Sequence, residues 1–176
     1  MRVFVAIEIP EDVKSSVLRF QDKFYGVRWS KPEQMHLTLS FFGEVQGSKI
    51  VDLEAALARI SFEKFEIILK GCGFFPNARR PSVFWIGVEH NPCLIKLKND
   101  IDCVAGTLGL TVEKRKFYPH ITLARISVKP DDKFLEVTKR WENFLFKFTV
   151  HSFKLMSGEL RSEGALHKTI RSFLYV

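Results

Sequence analysis

The sequence predicts an α+β fold in which two similar halves form two lobes related by a pseudo-twofold axis. Each half reads strand, helix, strand, helix, and each second strand carries a histidine and a threonine separated by one apolar residue. The two histidines, His36 and His120, lie 84 residues apart, a spacing that is long for a solenoid repeat but natural for two lobes. Of the 176 residues 46% are apolar, which is enough for a packed core without a covalent staple.

The first half is expected to span residues 1–64. A β-branched run over 3–9 predicts a buried strand, which Pro10 ends. The acidic residues that follow begin a helix, and apolar side chains then recur at helical spacing, at Val13, Val17, Phe20 and Phe24. Residues 35–43 predict the second strand, and Ser48 is the expected cap of the second helix. The apolar positions of that helix are Ile50, Leu53, Leu57 and Ile60.

The second half is expected to span residues 82–142. Its first strand is predicted over 83–89, and Asn91 followed by proline begins a helix. The apolar face of that helix is Leu94, Leu97, Ile101, Val104 and Leu108. Residues 118–125 predict the second strand, and Pro130 begins a short helix that runs towards Trp141.

Two further segments, 65–81 and 143–176, are expected to connect the halves or complete their sheets within a single domain of two lobes, 1–176. Strands are predicted at 65–69, 144–155 and 169–176. A loop rich in glycine and proline follows the first of these strands, and a polar turn over 157–164 separates the other two.

Composition excludes several classes of protein. The three cysteines are an odd number without a C-x-x-C pair, so neither a disulfide framework nor a zinc knuckle is expected. No apolar run approaches the roughly 20 residues of a membrane span, so we expect no membrane partner and a cytoplasmic location. The formal net charge of +7 favours a polyanionic partner, because lysine and arginine release counterions when they bind phosphate.

The two H-x-T motifs suggest a site. Alternate residues of a strand share a face, so His36 and Thr38 should point away from the apolar side chains of their strand, and His120 and Thr122 should do the same. If the two lobes face one another, two imidazoles and two hydroxyl groups converge on one small anion. A single H-x-T more often marks a buried, hydrogen-bonded histidine, but two copies at matching positions favour function.

Paired histidines suit displacement at phosphorus. With an ordinary pKa near 6.5, one imidazole can act as general base while the other acts as general acid. The threonine hydroxyls can donate to phosphoryl oxygens as charge develops. This chemistry requires no metal and no cofactor. The remaining histidines, His90, His151 and His167, lack such a context and are interpreted as structural or surface residues.

Longer motifs surround the two histidines. They are R-x-F-x-A-I-E-I-P at 2–10, Phe-Phe-Gly-Glu at 41–44, Gly-Phe-Phe-Pro at 73–76, Arg-Pro-Ser-Val-Phe-Trp-Ile-Gly at 80–87 and Pro-His-Ile-Thr-Leu-Ala-Arg at 119–125. With these motifs the chain resembles the 2H phosphoesterase superfamily and, within it, the RNA 2′,3′-cyclic phosphodiesterases, also called 2′-5′ RNA ligases.

The resemblance implies two lobes of mostly antiparallel sheet with outer helices around a central cleft. It also implies roles for residues: His36 as proton donor, His120 as proton acceptor, and Thr38 and Thr122 as phosphate ligands. Phe41 and Arg125 match positions near the nucleotide. Strict alternation would turn Phe41 and Arg125 away from the cleft, so their placement requires a bend or bulge in each strand.

The activity implied by the resemblance is hydrolysis of RNA 2′,3′-cyclic phosphate ends to 2′-phosphomonoesters, with ATP-independent, reversible 2′-5′ ligation as an extension. RNA with cyclic phosphate ends, tRNA fragments among them, is the expected partner of a monomeric protein. The alternatives are a non-catalytic RNA- or nucleotide-binding module and a phosphodiesterase of a small cyclic phosphate metabolite. The tail departs from the family pattern, because His167 stands where relatives carry a tyrosine in a G-P-x-Y-like element.

Overall fold

A computed structural model describes residues 1–19, 21–161 and 164–176 of the chain. The described strands are β1 (Arg2–Glu8), β2 (Val27–Trp29), β3 (His36–Glu44), β4 (Phe65–Phe75), β5 (Val83–Val88), β6 (His120–Ile126), β7 (Leu145–Val150), β8 (Ser152–Arg161) and β9 (Gly164–Leu174). The described α-helices are α1 (Glu11–Leu18), α2 (Gly47–Leu57), α3 (Pro92–Thr107) and α4 (Asp132–Lys139). Within these ranges no helix is both long enough and apolar enough to cross a lipid bilayer.

The strands form one sheet in the order β7-β4-β5-β6-β3-β1-β8-β9, and β2 pairs with β6. Every pairing between described strands is antiparallel. The strands that carry the two H-x-T motifs, β3 and β6, lie side by side in the middle, and β1 and β5, the first strands of the two halves, flank them. The repeated parts of the sequence therefore occupy equivalent places on either side of the centre of the sheet.

The centre of the sheet is held by apolar side chains that point away from the histidines. Leu37 of β3 pairs with Ile121 of β6, and both side chains are completely buried. They belong to one hydrophobic cluster that also takes in the apolar faces of all four helices. Because each of these side chains contributes about 1.5–3 kcal/mol on burial, the apolar face of the sheet fixes the two central strands and leaves their other face open.

Several helix boundaries differ from the sequence prediction. α2 ends at Leu57, so Ile60 follows the helix, and α4 begins at Asp132 and not at Pro130. α1 ends at Leu18, so the predicted helical run to Phe24 is wrong at its end, and Phe20 lies outside the described residues. Phe24 reaches the core from a loop, where its ring lies 5.3 Å from that of Phe134. α2 begins at Gly47 without a side-chain cap, so Ser48 lies inside the helix. The Asn91 cap of α3 is confirmed, because its side chain accepts a hydrogen bond from the Leu94 amide at 3.0 Å.

β4 is longer than predicted. The strand continues past residue 69 to Phe75 because Gly71, at φ 72°, allows a bulge between Leu69 and Cys72. Glycines in this segment therefore bend a strand and do not end it.

The tail also differs from its prediction. The predicted strand over 144–155 is two strands, β7 and β8, which separate at His151 and join opposite halves of the sheet. Most of the predicted polar turn over 157–164 is strand, because β8 and β9 pair from Ser152↔Leu174 to Arg161↔Gly164; residues 162 and 163 of that turn lie outside the described residues. The sequence predicted two strands joined by a turn, but it did not show how far they extend, because the polar residues nearer the tip are held by backbone pairing whereas Phe153 and Phe173 pack into the core.

Candidate active site

The two H-x-T motifs have the same local environment. Over 36–42 and 120–126 the order of half-buried, buried and exposed residues is identical, position by position. Each histidine and threonine is half-buried on the open face, whereas the alternate side chains are buried in the core. The repeat seen in the sequence is therefore also a repeat in the structure, and it places the two H-x-T motifs on adjacent strands.

A bulge at the equivalent place in each central strand redirects the next functional side chain. In β3 the partners step from Thr38 to Ser40 across consecutive residues of β1, so Leu39 is an extra residue. In β6 they step from Thr122 to Ala124, so Leu123 is extra. One added residue reverses the alternation of faces. Phe41 and Arg125 consequently lie on the same face as the histidines.

This face borders a cavity of about 450 Å³. All six site residues predicted from the sequence line it: His36, Thr38, Phe41, His120, Thr122 and Arg125. The cavity is also lined by Arg2, Phe4, Arg28, Trp29, Ser30, Gln34, Gly158, Gly164, Ala165 and His167. The described lining contains three arginines and three histidines and no carboxylate, so the cavity favours an anion.

His120 is held in a defined tautomer. Its Nδ1 lies 2.7 Å from the carbonyl oxygen of Tyr118, and because a carbonyl only accepts, Nδ1 carries the hydrogen. The neutral ring then has its lone pair at Nε2. Burial lowers the pKa of His120, and the hydrogen bond to the Tyr118 backbone opposes that shift. The neutral ring can therefore accept a proton at Nε2.

His36 lies deeper. Burial is the main cause that lowers its pKa to about 4, and the charges of His167 and His120 add to the shift, while the Gln34 backbone opposes it. Its ring centroid lies 5.0 Å from that of Phe4 and 4.8 Å from that of His167. His36 is therefore neutral in the free protein at pH 7, and it can donate a proton only when an anion in the cavity stabilises its charged form.

His167 is a residue that sequence reasoning placed wrongly, as structural or surface. It pairs with Gly158 across the β8–β9 hairpin, which carries its ring to the edges of the Phe4 and His36 rings. Burial, and then the charge of Arg125, lowers its pKa. The signal in the sequence was the family position normally held by tyrosine. By contrast, His90 and His151 are exposed, as predicted.

Other lining residues were missed because they come from short or irregular segments. Gln34 lies in a 3₁₀ turn, and its Nε2 donates to the carbonyl of Ala165 at 3.0 Å. Arg28 and Trp29 come from the three-residue strand β2, and Trp29 Nε1 donates to the carbonyl of Asp22 at 2.6 Å. In the described residues, no group of three or more histidine, cysteine, aspartate or glutamate side chains could hold a metal ion.

A family model described as LigT like phosphoesterase matches residues 7–85 and again residues 86–167. Among curated proteins, the RNA 2′,3′-cyclic phosphodiesterase of Thermotoga maritima is 33% identical over 97% of this chain and 93% of its own length. The protein of the same name from Archaeoglobus fulgidus is 31% identical over 98% of this chain and 99% of its own length.

Solved structures show the same architecture. The crystal structure of TT0787 of Thermus thermophilus matches with a TM-score of 0.84 and 29% identity, over 99% of this chain and 97% of that one. The crystal structure of Escherichia coli LigT complexed with 3′-AMP matches with a TM-score of 0.80 and 24% identity, over the same shares of both chains. At 24% identity, the match to LigT shows a shared fold and no more. The α+β fold of mostly antiparallel sheet expected from the sequence is therefore confirmed.

Proposed function

Because this chain belongs to the LigT-like phosphoesterase family, we propose that it hydrolyses the 2′,3′-cyclic phosphate at the end of an RNA and leaves a 2′-phosphomonoester. The curated relatives that match it over nearly their full length are RNA 2′,3′-cyclic phosphodiesterases. The observation that carries the proposal is that two H-x-T pairs, on the two central strands, open onto one cationic cavity.

The reaction divides between the two histidines. His120 accepts a proton at Nε2 from the water that attacks phosphorus, and the P–O3′ bond breaks as His36 gives a proton to the 3′ oxygen. Each transfer contributes typically ~10²–10⁴-fold to the rate. The hydroxyls of Thr38 and Thr122 donate to the non-bridging oxygens, where charge accumulates in the transition state. Phe41 and Arg125, on the same face, contact the nucleoside.

The proton on His36 arrives with the substrate. With its pKa lowered to about 4, His36 is almost entirely unprotonated at pH 7 in the free protein. A cyclic phosphate anion in the cavity favours the charged imidazole and raises that pKa. Binding and protonation of the acid are therefore linked, and His36 remains neutral while the cavity has no anion.

The oligomeric state, the RNA substrate and the cellular location of the enzyme follow from the same proposed activity. We propose that the protein acts as a monomer, because a single chain carries both H-x-T motifs. The excess of basic residues suits RNA, and tRNA fragments with cyclic phosphate ends are among its substrates. Its location is the cytoplasm.

Two alanine variants test the mechanism. His36→Ala and His120→Ala should each reduce hydrolysis of a nucleoside 2′,3′-cyclic phosphate by ~10²–10⁴-fold or more, with circular dichroism unchanged. His151→Ala is the matched control, because that histidine is exposed and lies outside the cavity. The product should be a 2′-phosphate. Normal turnover in either active-site variant removes that histidine from the mechanism, and binding without turnover in the wild type identifies a non-catalytic module.

A further inference from the structure

A buried polar network ties helix α3 to the bulge in β3. The hydroxyl of Ser40 donates to one carboxylate oxygen of Asp102, and the ammonium group of Lys98 pairs with the other. Ser40 is buried, and the side chains of Asp102 and Lys98 are only 18% and 12% exposed. We propose that these three positioning residues, the α3 network, set the place of Phe41 against the nucleoside of the substrate. The inference rests on the proposed function, because it explains how one contact of that site is held.

The bulge explains why Ser40 needs a partner. Leu39 is the extra residue of β3, so Leu39 and Ser40 are both buried although they are consecutive. Phe41 then points to the open face and remains 44% exposed. A hydroxyl group among apolar side chains costs free energy unless it forms a hydrogen bond. Asp102 accepts that hydrogen bond from α3, the helix that contacts β3 on this face.

The matching bulge in β6 has strands on both sides. Ala124, which follows that bulge, pairs with Phe84 of β5 and with Trp29 of β2. Ala124 occupies the place that Ser40 has in β3, and it is completely buried with no polar group to satisfy. Backbone pairing on two edges therefore fixes this bulge and the direction of Arg125.

The bulge in β3 has a strand on one side only. Among the described residues, β3 pairs with β6 at Leu37↔Ile121 alone, whereas its pairing with β1 continues to Glu44. Beyond Leu37, β3 borders a cavity of about 650 Å³ that Lys98 also lines. A strand that is paired on one edge and open on the other has less to resist local opening. The α3 network therefore supplies the second support that backbone pairing gives to the β6 bulge.

Charge and packing fix the α3 network itself. Lys98 and Asp102 lie one turn apart on α3, and Lys98 Nζ is 5.7 Å from the centre of the Phe117 ring. Because both charged groups are largely removed from water, separating them would leave each without its partner at a high cost in free energy. Asp102 therefore keeps one orientation, in which its other carboxylate oxygen accepts from Ser40.

Phe41 is the functional side chain that this support reaches. It directly follows Ser40, it lines the active-site cavity, and its ring lies 6.5 Å from that of Phe4. Ser40 and Asp102 are not among the described residues that line the active-site cavity. They therefore act through the place of Phe41, whose ring offers a face to the nucleobase, and not on the phosphate.

The test separates binding from chemistry. Ser40→Ala removes the hydroxyl but keeps the ion pair of α3, and alanine is the residue that β6 carries at the equivalent place. The KM for a nucleoside 2′,3′-cyclic phosphate should rise by about three- to tenfold while kcat changes by less than about twofold, because a misplaced nucleoside contact weakens binding in the ground state and the transition state alike. Asp102→Asn should give the same pattern. In a Phe41→Ala background Ser40→Ala should leave KM unchanged, since the side chain through which it acts is gone.

Two controls match these variants. Asp100→Asn breaks the Lys96–Asp100 pair, which has the same spacing on the same helix but an exposed lysine. Ser127→Ala removes an exposed hydroxyl that donates to the carbonyl of Gly26. Neither variant should change KM, because neither residue touches the bulge in β3.

A measurement without substrate separates this inference from the proposed function. Hydrogen exchange of the backbone amides over 39–42 should be faster in Ser40→Ala than in the wild type, and exchange over 122–125 should be unchanged. The inference is overturned by unchanged exchange over 39–42, by an unchanged KM, by a fall in kcat alone, or by an equal rise of KM in the Phe41→Ala background. If the wild type hydrolyses no cyclic phosphate, the proposed function fails, and exchange over 39–42 then decides whether the α3 network holds the bulge.

Discussion

Replacing His167 with phenylalanine should make His36 bind its proton more tightly. The change keeps an aromatic ring against Phe4 and His36 but removes a group that can carry charge. Burial lowers the pKa of both histidines, and the positive charge of His167 adds to the shift that lowers the pKa of His36 to about 4. The repulsion between the two charged rings is present only in the wild type.

The size of the effect follows from the distance between the rings. Two unit charges 4.8 Å apart repel by about 0.9 kcal/mol at the dielectric constant of water and about 3.5 kcal/mol at an effective constant of 20. The cavity is open to solvent, so the lower part of that range applies. A repulsion of about 1 kcal/mol corresponds to roughly a fivefold change in the proton affinity of His36.

The assay is a titration of the histidine Cε1–H resonances by NMR in the wild type and the His167→Phe variant. The His36 resonance should titrate at a higher pH in the variant, and the three arginines and His120 of the cavity remain unchanged. His151→Phe is the control, because His151 is exposed and its ring contacts Tyr175 outside the cavity. A His36 resonance that titrates at the same or a lower pH in His167→Phe would refute the reasoning.

Two further outcomes follow from the geometry. The pKa of His36 is about 4 in the folded protein and 6.5 in its ordinary state, so between these pH values the unfolded chain binds a proton that the folded protein does not. The free energy of unfolding should therefore fall by at most about 3 kcal/mol as the pH drops from 6.5 to 4. In melting curves the His36→Ala variant should lose less stability over that range than the wild type, and equal losses would contradict this. Gly73→Ala places a methyl carbon 2.7 Å from Cη2 of Trp85, whose ring lies beside His120. This substitution should lower the free energy of unfolding by about 1–3 kcal/mol in a denaturant titration. Gly106→Ala is the control, because a Cβ there meets nothing within 4 Å, and it should not lower the free energy of unfolding.

The placement of the two H-x-T motifs was predictable because it depends on local periodicity. The alternation of apolar and polar residues in 36–39 and 120–123 sets which side chains face the core, and the structure agrees. The same alternation fails at Phe41 and Arg125, since each strand contains an extra residue at Leu39 or Leu123. Only the bulge brings them to the cavity, and the bulge depends on pairing with a neighbouring strand.

The hairpin of β8 and β9 illustrates the opposite case. Phe153 and Phe173 pack the base of the hairpin into the core. The polar residues nearer its tip carry no hydrophobic signal, and there the described strands are held by backbone pairing. His167 enters the cavity from this hairpin, opposite a glycine that leaves room for its ring. Local periodicity does not indicate that contact, and its signal in the sequence is that His167 stands where relatives carry a tyrosine.

The sequence by itself determined the repeated unit, the apolar face of each central strand and the four groups that can act on a phosphate. These properties are local, because they follow from the order of residues along a strand or a helix. Only the tertiary structure decided which distant segments meet. It brings a third histidine to His36 and places Lys98 of α3 beside the strand of Thr38. Such contacts depend on how strands pair and helices pack, and no short-range pattern encodes them.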